Sequence, residues 1–259
     1  MDGGLLTLLF AFLFGLVLGS FLNVCIHRIP EGISIVRPAS SCPSCGETIR
    51  FYDNIPLLSY ALLLGRCRRC GSPISMRYPL VELGTGLLSL ALMGRFGPSG
   101  TYALALVFVS CLVVVSLIDL KHQVIPDVIS LPGILVGIAA SFTPWGMVSW
   151  TDAAFGAAGG GGFLLAVAWI FQRLTGKEGM GLGDVKLLAM IGAWMGWRAL
   201  PFVILLSSLA GILIGGTALV LTKRGLRVRI PFGPFLSLGA LLVFFFGPRI
   251  QWACDRLLF

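Results

Sequence analysis

Apolar and polar positions along this chain are segregated into long blocks rather than interleaved at the short periods of a water-soluble fold. Apolar blocks cover 5–26, 79–96, 101–119, 128–143, 153–172, 185–197, 199–222 and 232–248. Each is long enough, or nearly so, to cross a hydrocarbon core of about 30 Å as a helix. The sixth is the shortest and covers only about 20 Å at about 1.5 Å per residue. Lipid offers no partner to a free backbone N–H or C=O, so these blocks must be helices rather than open strands. The pattern therefore predicts an all-α, polytopic membrane helical bundle of about eight spans. One polar stretch interrupts it. The domain reading is a first span at 1–26, a polar insertion at 27–78 and a helical core at 79–259.

Composition reinforces this picture. Hydrophobic residues make up 57% of the chain and charged residues 12%, about half the charged share of a soluble globular protein. Mean hydropathy is +0.95. The net charge of +8 raises nucleic acid as a partner, but the placement of the charges points to topology instead. With the N-terminus outside, Arg28, Arg37, Arg50, Arg66, Arg68, Arg69, Arg77, Lys121, Arg173, Lys177, Lys186, Lys223, Arg224, Arg227 and Arg229 fall on the cytoplasmic side. Only Arg95, Arg198, Arg249 and Arg256 fall outside, fifteen against four, which is the positive-inside bias. The first block lacks a basic n-region and a small-residue cleavage site, so it is expected to remain as a span rather than be cleaved as a signal peptide. No clean internal repeat is visible. Gly156 and Gly159 to Gly162 lie in the fifth block, where small residues favour close helix–helix contact; no lysine follows them to make a phosphate loop.

The insertion holds four of the seven cysteines. Cys42-x2-Cys45 and Cys67-x2-Cys70 are each followed by a glycine, Gly46 and Gly71. Two such turns can place four sulfurs around one ion, the arrangement of a structural zinc site. A pair of disulfides or a redox site is the alternative, and a cytoplasmic insertion disfavours it. A closed set of four thiolates leaves no open position for catalysis, so the metal should hold the fold. Cys25, Cys111 and Cys254 lie in or beside apolar blocks and read as small hydrophobes.

Acids at the edge of a span are functional candidates. Glu82, Asp119, Asp127 and Asp184 qualify. Asp184 closes Gly-Leu-Gly-Asp and opens the short sixth block; Asp119 ends an apolar run. Two carboxylates brought together in a pocket of low dielectric cannot both ionise easily, so one can act as base on a water while the other donates a proton. Gly179, Gly181 and Gly183 would let an extended backbone approach closely. Helix capping is the competing role for Asp184 and, more strongly, for Asp127; a buried basic partner is the competing role for Asp119. From the residues alone, the partner of Asp184 remains either Asp119 or Asp127.

Gly-Ser-Phe-Leu-Asn-Val-Cys-Ile-His-Arg-Ile-Pro (19–30), the paired Cys-x2-Cys turns, Arg-Tyr-Pro-Leu-Val-Glu-Leu (77–83), Leu-Ile-Asp-Leu-Lys-His-Gln-Val-Ile-Pro-Asp (117–127), Gly-Lys-Glu-Gly-Met-Gly-Leu-Gly-Asp-Val-Lys-Leu-Leu (176–188) and Ile-Pro-Phe-Gly-Pro (230–234) occur in this order. Taken together they resemble the bacterial type IV prepilin peptidases over nearly the whole chain. The resemblance implies an aspartyl endopeptidase of the Gly-x-Gly-Asp type with Asp119 and Asp184 as the catalytic pair. It implies cleavage of a basic leader, after a glycine, from prepilin or pseudopilin precursors at the cytoplasmic face of the bacterial inner membrane. It further implies N-methylation of the new terminus with S-adenosylmethionine, since relatives with the cysteine insertion are typically bifunctional. The donor site has no glycine-rich signature here; Gly65 and Glu82 are its candidates by resemblance, with a tight turn and a helix-edge charge as their plainer roles. Glu178 and Asp127 could meet a basic leader. His27 and His122 read as interface residues rather than ligands or bases. A proton-coupled transporter would explain the acids but not their clustering at one face nor the cysteine insertion, and a scaffold protein would leave the acids idle.

Overall fold

The computed structural model describes residues 2–176, 181–215 and 231–258. Among them there is no β-strand, only the isolated bridges Ser41–Thr48 and Arg66–Pro73. Helices stand where the apolar blocks predict them: α1 (Asp2–Arg28), α3 (Arg77–Phe96), α4 (Gly100–His122), α5 (Asp127–Ser141), α6 (Trp150–Thr175), α7 (Leu182–Met195), α8 (Leu200–Ala210) and α9 (Gly233–Leu258), with a short α2 (Leu58–Leu62) inside the insertion. The chain after α8 continues through one π-helical turn, Gly211–Gly215.

Five segments are long and apolar enough to cross a membrane: Gly4–Arg28, Gly100–His122, Trp150–Thr175, Trp197–Ile214 and Gly233–Ile250. The other three expected spans are helices with a reason to fall short. α3 carries Arg77, Glu82 and Arg95, while α5 has 15 residues and α7 has 14. α7 does not need the length. Leu187 to Trp194 are buried on every face, so protein rather than lipid surrounds it, as expected of a helix apolar all round.

The chain divides into two compact units, Met1–Ser110 and Cys111–Phe259. In the first, α1 and α3 meet through small residues. A methyl at Gly15 would lie 2.6 Å from the Ser89 Cβ, and one at Gly19 would lie 2.7 Å from the Glu82 Cα. Ser89 donates to the Ala11 carbonyl across this seam at 2.6 Å. In the second unit α7 is the hub, packed on α5 and α6. Gly156 of α6 abuts the Gly192 carbonyl, and Gly160 abuts the Leu188 carbonyl. The glycine-rich stretch of α6 is therefore a helix-contact surface, as small residues in lipid permit. On the opposite seam the Trp194 indole donates to the Gly133 carbonyl at 2.8 Å, beside Gly133 and Gly137.

Candidate functional site

The carboxylate centre belongs wholly to the second unit. Asp119 sits in the last turn of α4 and is only 5% exposed. Its Oδ2 accepts the backbone N–H of Gly233 at 3.0 Å. Gly233 is the first residue of α9, so this N–H is one of the helix-terminal donors that no carbonyl of the helix itself can satisfy. A Cβ at Gly233 would stand 2.6 Å from that same oxygen, so glycine is what lets the backbone reach the carboxylate. Asp119 forms no ion pair among the described residues, and the competing role of buried partner to a basic group is not the one it fills.

Asp184 lies in the first turn of α7, half-buried, with Gly181 as the capping residue and no side-chain capping bond. It is close enough to Asp119 for the two charges to interact. Ile125, buried in the short link between α4 and α5, supports both: a Cβ at Gly183 would lie 3.0 Å from it and a Cβ at Gly233 3.2 Å. The close approach at Gly183 is thus taken up by Ile125 rather than left open for a substrate backbone. Gly179 lies outside the described residues.

Asp127 is not part of this pair. It opens α5 without a side-chain cap and is exposed, its carboxylate receiving the Lys186 ammonium at 2.7 Å. The capping role expected for it is replaced by an ion pair to α7. That pair also occupies it as a counter-charge for a basic leader, and Glu178 lies outside the described residues. Among the other candidates, His27 pairs with Glu31 at 3.4 Å and the Nε2 of His122 is buried without a hydrogen-bond partner. Neither histidine joins the cysteines.

The second cluster is in the first unit. The Sγ atoms of Cys42, Cys45, Cys67 and Cys70 lie within 4.8 Å of one another, and no disulfide links the described cysteines. Cys42 and Cys70 sulfurs stand 3.8 Å apart. Four sulfurs held tetrahedrally about 2.3 Å from zinc would stand roughly 3.8 Å apart, so the cluster fits that ion. The two turns are built alike. Gly46 N–H donates to the Cys42 carbonyl and Gly71 N–H to that of Cys67, and Ile49 and Ile74 donate back to Ser40 and Gly65. Gly46 and Gly71 hold φ of 72° and 70°, the left-handed region that glycine enters without strain. This is an internal repeat, Ser40–Ile49 followed by Gly65–Ile74, which the expectation of no clean repeat missed because only the cysteines, the glycine and the isoleucine are shared. Backbone N–H groups of Cys45 and Ser44 pull the Cys42 thiol down to about 6, whereas burial and the neighbouring sulfurs push Cys45 up to about 12. Four crowded thiols cannot all ionise without a cation between them, and a divalent ion resolves that conflict.

Glu82 and Gly65 have structural partners. The Glu82 carboxylate, buried in α3, accepts the Leu57 N–H at 2.9 Å. Leu57 holds a φ of 60° in a γ-turn, closed by the Leu58 N–H on the Pro56 carbonyl at 2.6 Å, a rare and strained form. Glu82 thereby ties the insertion to the α1–α3 pair. Sequence gave no sign of this, because a lone acid after Arg-Tyr-Pro names no partner. Gly65 turns at φ 67° beneath the Tyr60 ring, where a Cβ would lie 2.8 Å from the hydroxyl.

Residues 13–96 match the family described as the bacterial peptidase A24 N-terminal domain, and residues 106–216 match the type IV leader peptidase family. The chain is 42% identical over 266 residues to a protein of Aeromonas hydrophila named prepilin leader peptidase/N-methyltransferase, covering 93% of this chain and 91% of that one. A protein of the same name from Pseudomonas aeruginosa is 42% identical over 262 residues, covering 92% and 90%. One from Burkholderia pseudomallei is 40% identical over 272 residues, covering 93% and 86%. No solved structure matches the chain.

Proposed function

Because this chain belongs to the type IV leader peptidase family, we propose that it is a membrane aspartyl endopeptidase that removes the leader from type IV prepilin-like precursors and then N-methylates the new terminus. The observation that carries the reading is the convergence of Asp119 and Asp184, from helices far apart in sequence, within range of each other's charge. The reaction is hydrolysis. One carboxylate takes a proton from water as the water oxygen bonds to the scissile carbonyl carbon, and the other gives its proton to the carbonyl oxygen. Collapse of the tetrahedral diol breaks the C–N bond as a proton passes to the leaving nitrogen. The leader departs with a new carboxylate and the mature subunit with a new amine.

The substrates are prepilins or pseudopilins, whose own apolar helix docks laterally among the spans in the bilayer of the bacterial inner membrane and brings the basic leader to the pair. With the N-terminus outside and both the insertion and the carboxylates on the cytoplasmic face, fifteen basic residues against four satisfy the positive-inside bias, which supports that orientation. Of those fifteen, Lys177, Lys223, Arg224, Arg227 and Arg229 lie outside the described residues. Cys42, Cys45, Cys67 and Cys70 would hold one Zn²⁺, whose chemistry there is structural. In this reading residues 1–26 are the first span, 27–78 the zinc-binding insertion and 79–259 the protease core. S-adenosylmethionine is the donor that the methyltransferase named for the relatives implies. Since Glu82 and Gly65 are engaged in holding the insertion, no step of methyl transfer is assigned to them.

The test is cleavage of a purified prepilin by wild type and by Asp119→Asn and Asp184→Asn in detergent, with product masses. Wild type should give the leader and the shortened subunit far faster than either variant, plus one methyl mass when the donor is supplied. Cleavage at the wild-type rate in either variant would overturn the pair.

A further inference from the structure

We infer that the Gly233 N–H divides the labour of the carboxylate pair, making Asp119 the ionised base and Asp184 the protonated acid; this rests on the pair being the proteolytic centre. The two carboxyls differ in what reaches them. Asp119 Oδ2 receives a backbone N–H at 3.0 Å in buried surroundings. The donor opens α9, a helix of 26 residues, whose N-terminus carries partial positive charge. Pro234 follows and has no N–H of its own, and the Phe235 N–H donates to the Phe232 carbonyl, so Gly233 supplies the N–H that reaches Asp119. A hydrogen bond of this kind is charge-assisted and favours the anion.

Asp184 is half-buried at the start of α7, and no hydrogen bond or ion pair from the described residues reaches its carboxylate. The α7 N-terminus acts on it only through the dipole, without delivering an N–H to the side chain. Among the described residues, the other charged or titratable groups on the flanking segments are Lys121 and His122 of α4, Asp127 of α5 and Lys186 of α7. The last two are paired with each other. Two carboxylates within range of each other's charge resist ionising together, and the donated N–H favours the anion on Asp119, which leaves the proton on Asp184. Water then gives its proton to Asp119 while Asp184 protonates the scissile carbonyl oxygen.

Gly233 is thus a positioning residue, acting through Asp119. Its substitution has a steric reading on the page: in Gly233→Ala the added methyl would lie 2.6 Å from Oδ2 and 3.2 Å from Cγ, which forces the N–H and the carboxylate apart. The experiment is the pH profile of prepilin cleavage by wild type and Gly233→Ala, with elution and thermal melting as folding controls. The expected result is a fall in kcat of about 10-fold or more, from a lost hydrogen bond to a charged group, with KM little changed. The acid limb of the profile, which belongs to the coupled pair, moves to higher pH. A folded variant with an unmoved acid limb overturns the inference.

If Gly233→Ala does not fold, the isosteric variants decide. The amide of Asp184→Asn can still donate to a carbonyl oxygen, but that of Asp119→Asn cannot take a proton from water. Residual cleavage in Asp184→Asn should exceed that in Asp119→Asn by about 10-fold or more, within the range of a general-base contribution. Equal or reversed residual rates overturn the division while leaving the pair intact. Full cleavage by both variants overturns the proteolytic centre itself, and the division with it.

Discussion

The cysteine cluster and the carboxylate centre are built in opposite ways. The first brings its four cysteines, two of them exposed, from two copies of one turn separated by a short stretch of insertion. The second takes its parts from residues 119, 184 and 233, far apart in the chain, and holds them by helix packing so close that glycine is required at Gly156, Gly160, Gly183 and Gly233. A polar segment of this size has too little core to fix itself, and a bound metal can supply the missing stability. A helix bundle in lipid has no hydrophobic drive between its helices and relies on close contact instead. With zinc held as proposed, one site should therefore fail when its ion is removed, and the other when a methyl is added.

Removing the zinc proposed for the four cysteines is the change with the largest expected effect on structure. Chelation, or Cys42→Ser, should unfold the insertion outright, since metal binding and folding are one equilibrium in such modules. Limited proteolysis would read this as new cuts between residues 40 and 75, with elemental analysis falling from about one zinc per chain. Acid should do the same: metal binding needs thiolates, so protons displace the ion as pH falls. An insertion that keeps its protection without metal would erase the contrast between the two sites.

The carboxylates come next. Asp119→Asn should lower cleavage by about 10³-fold and Asp184→Asn by about 10²-fold, both within the scale of lost acid–base chemistry, while metal content and thermal stability stay near wild type. After them comes the packing. Gly192→Ala on α7 pushes a methyl into the Gly156 carbonyl of α6 and should destabilise the protein by about 1–3 kcal/mol, as over-packing does. Gly162→Ala, on the same helix as Gly156 but facing nothing within 4 Å, is the control and should leave melting unchanged. Equal melting of the two variants would mean that the glycine seam does not hold the carboxylates together.

The same contrast explains what could be read in advance. Cysteine spacing carries its geometry in the sequence, because all four ligands lie in local turns. The helices were equally legible, since lipid enforces long apolar blocks. The carboxylate centre was not. Residue chemistry left Asp119 and Asp127 level, and only the resemblance separated them. In three dimensions they differ plainly: Asp119 is buried under the Gly233 N–H and Asp127 is exposed on Lys186. Nothing near Asp119 in sequence announces a donor 114 residues away, although Ile-Pro-Phe-Gly-Pro was visible as a motif without a role. The Glu82–Leu57 tie was hidden for the same reason.

The smallest effect is expected at the residue the sequence could not set aside. Asp127→Asn removes the ion pair with Lys186 across the mouths of α5 and α7. Both groups are partly exposed, at 57% and 31% of their side chains, so water and salt screen them and the pair contributes only about 0–1 kcal/mol. Asp127 opens α5, where the helix dipole favours an acid, and asparagine retains much of that preference. Cleavage should therefore fall by no more than about threefold, a change within the worth of one exposed pair, and Asp127→Lys with Lys186→Asp should recover part of it. A loss in Asp127→Asn as deep as that in Asp119→Asn would move the catalytic partner of Asp184 to Asp127. The buried, N–H-bonded geometry at Asp119 would then belong to the stability of the bundle rather than to its chemistry.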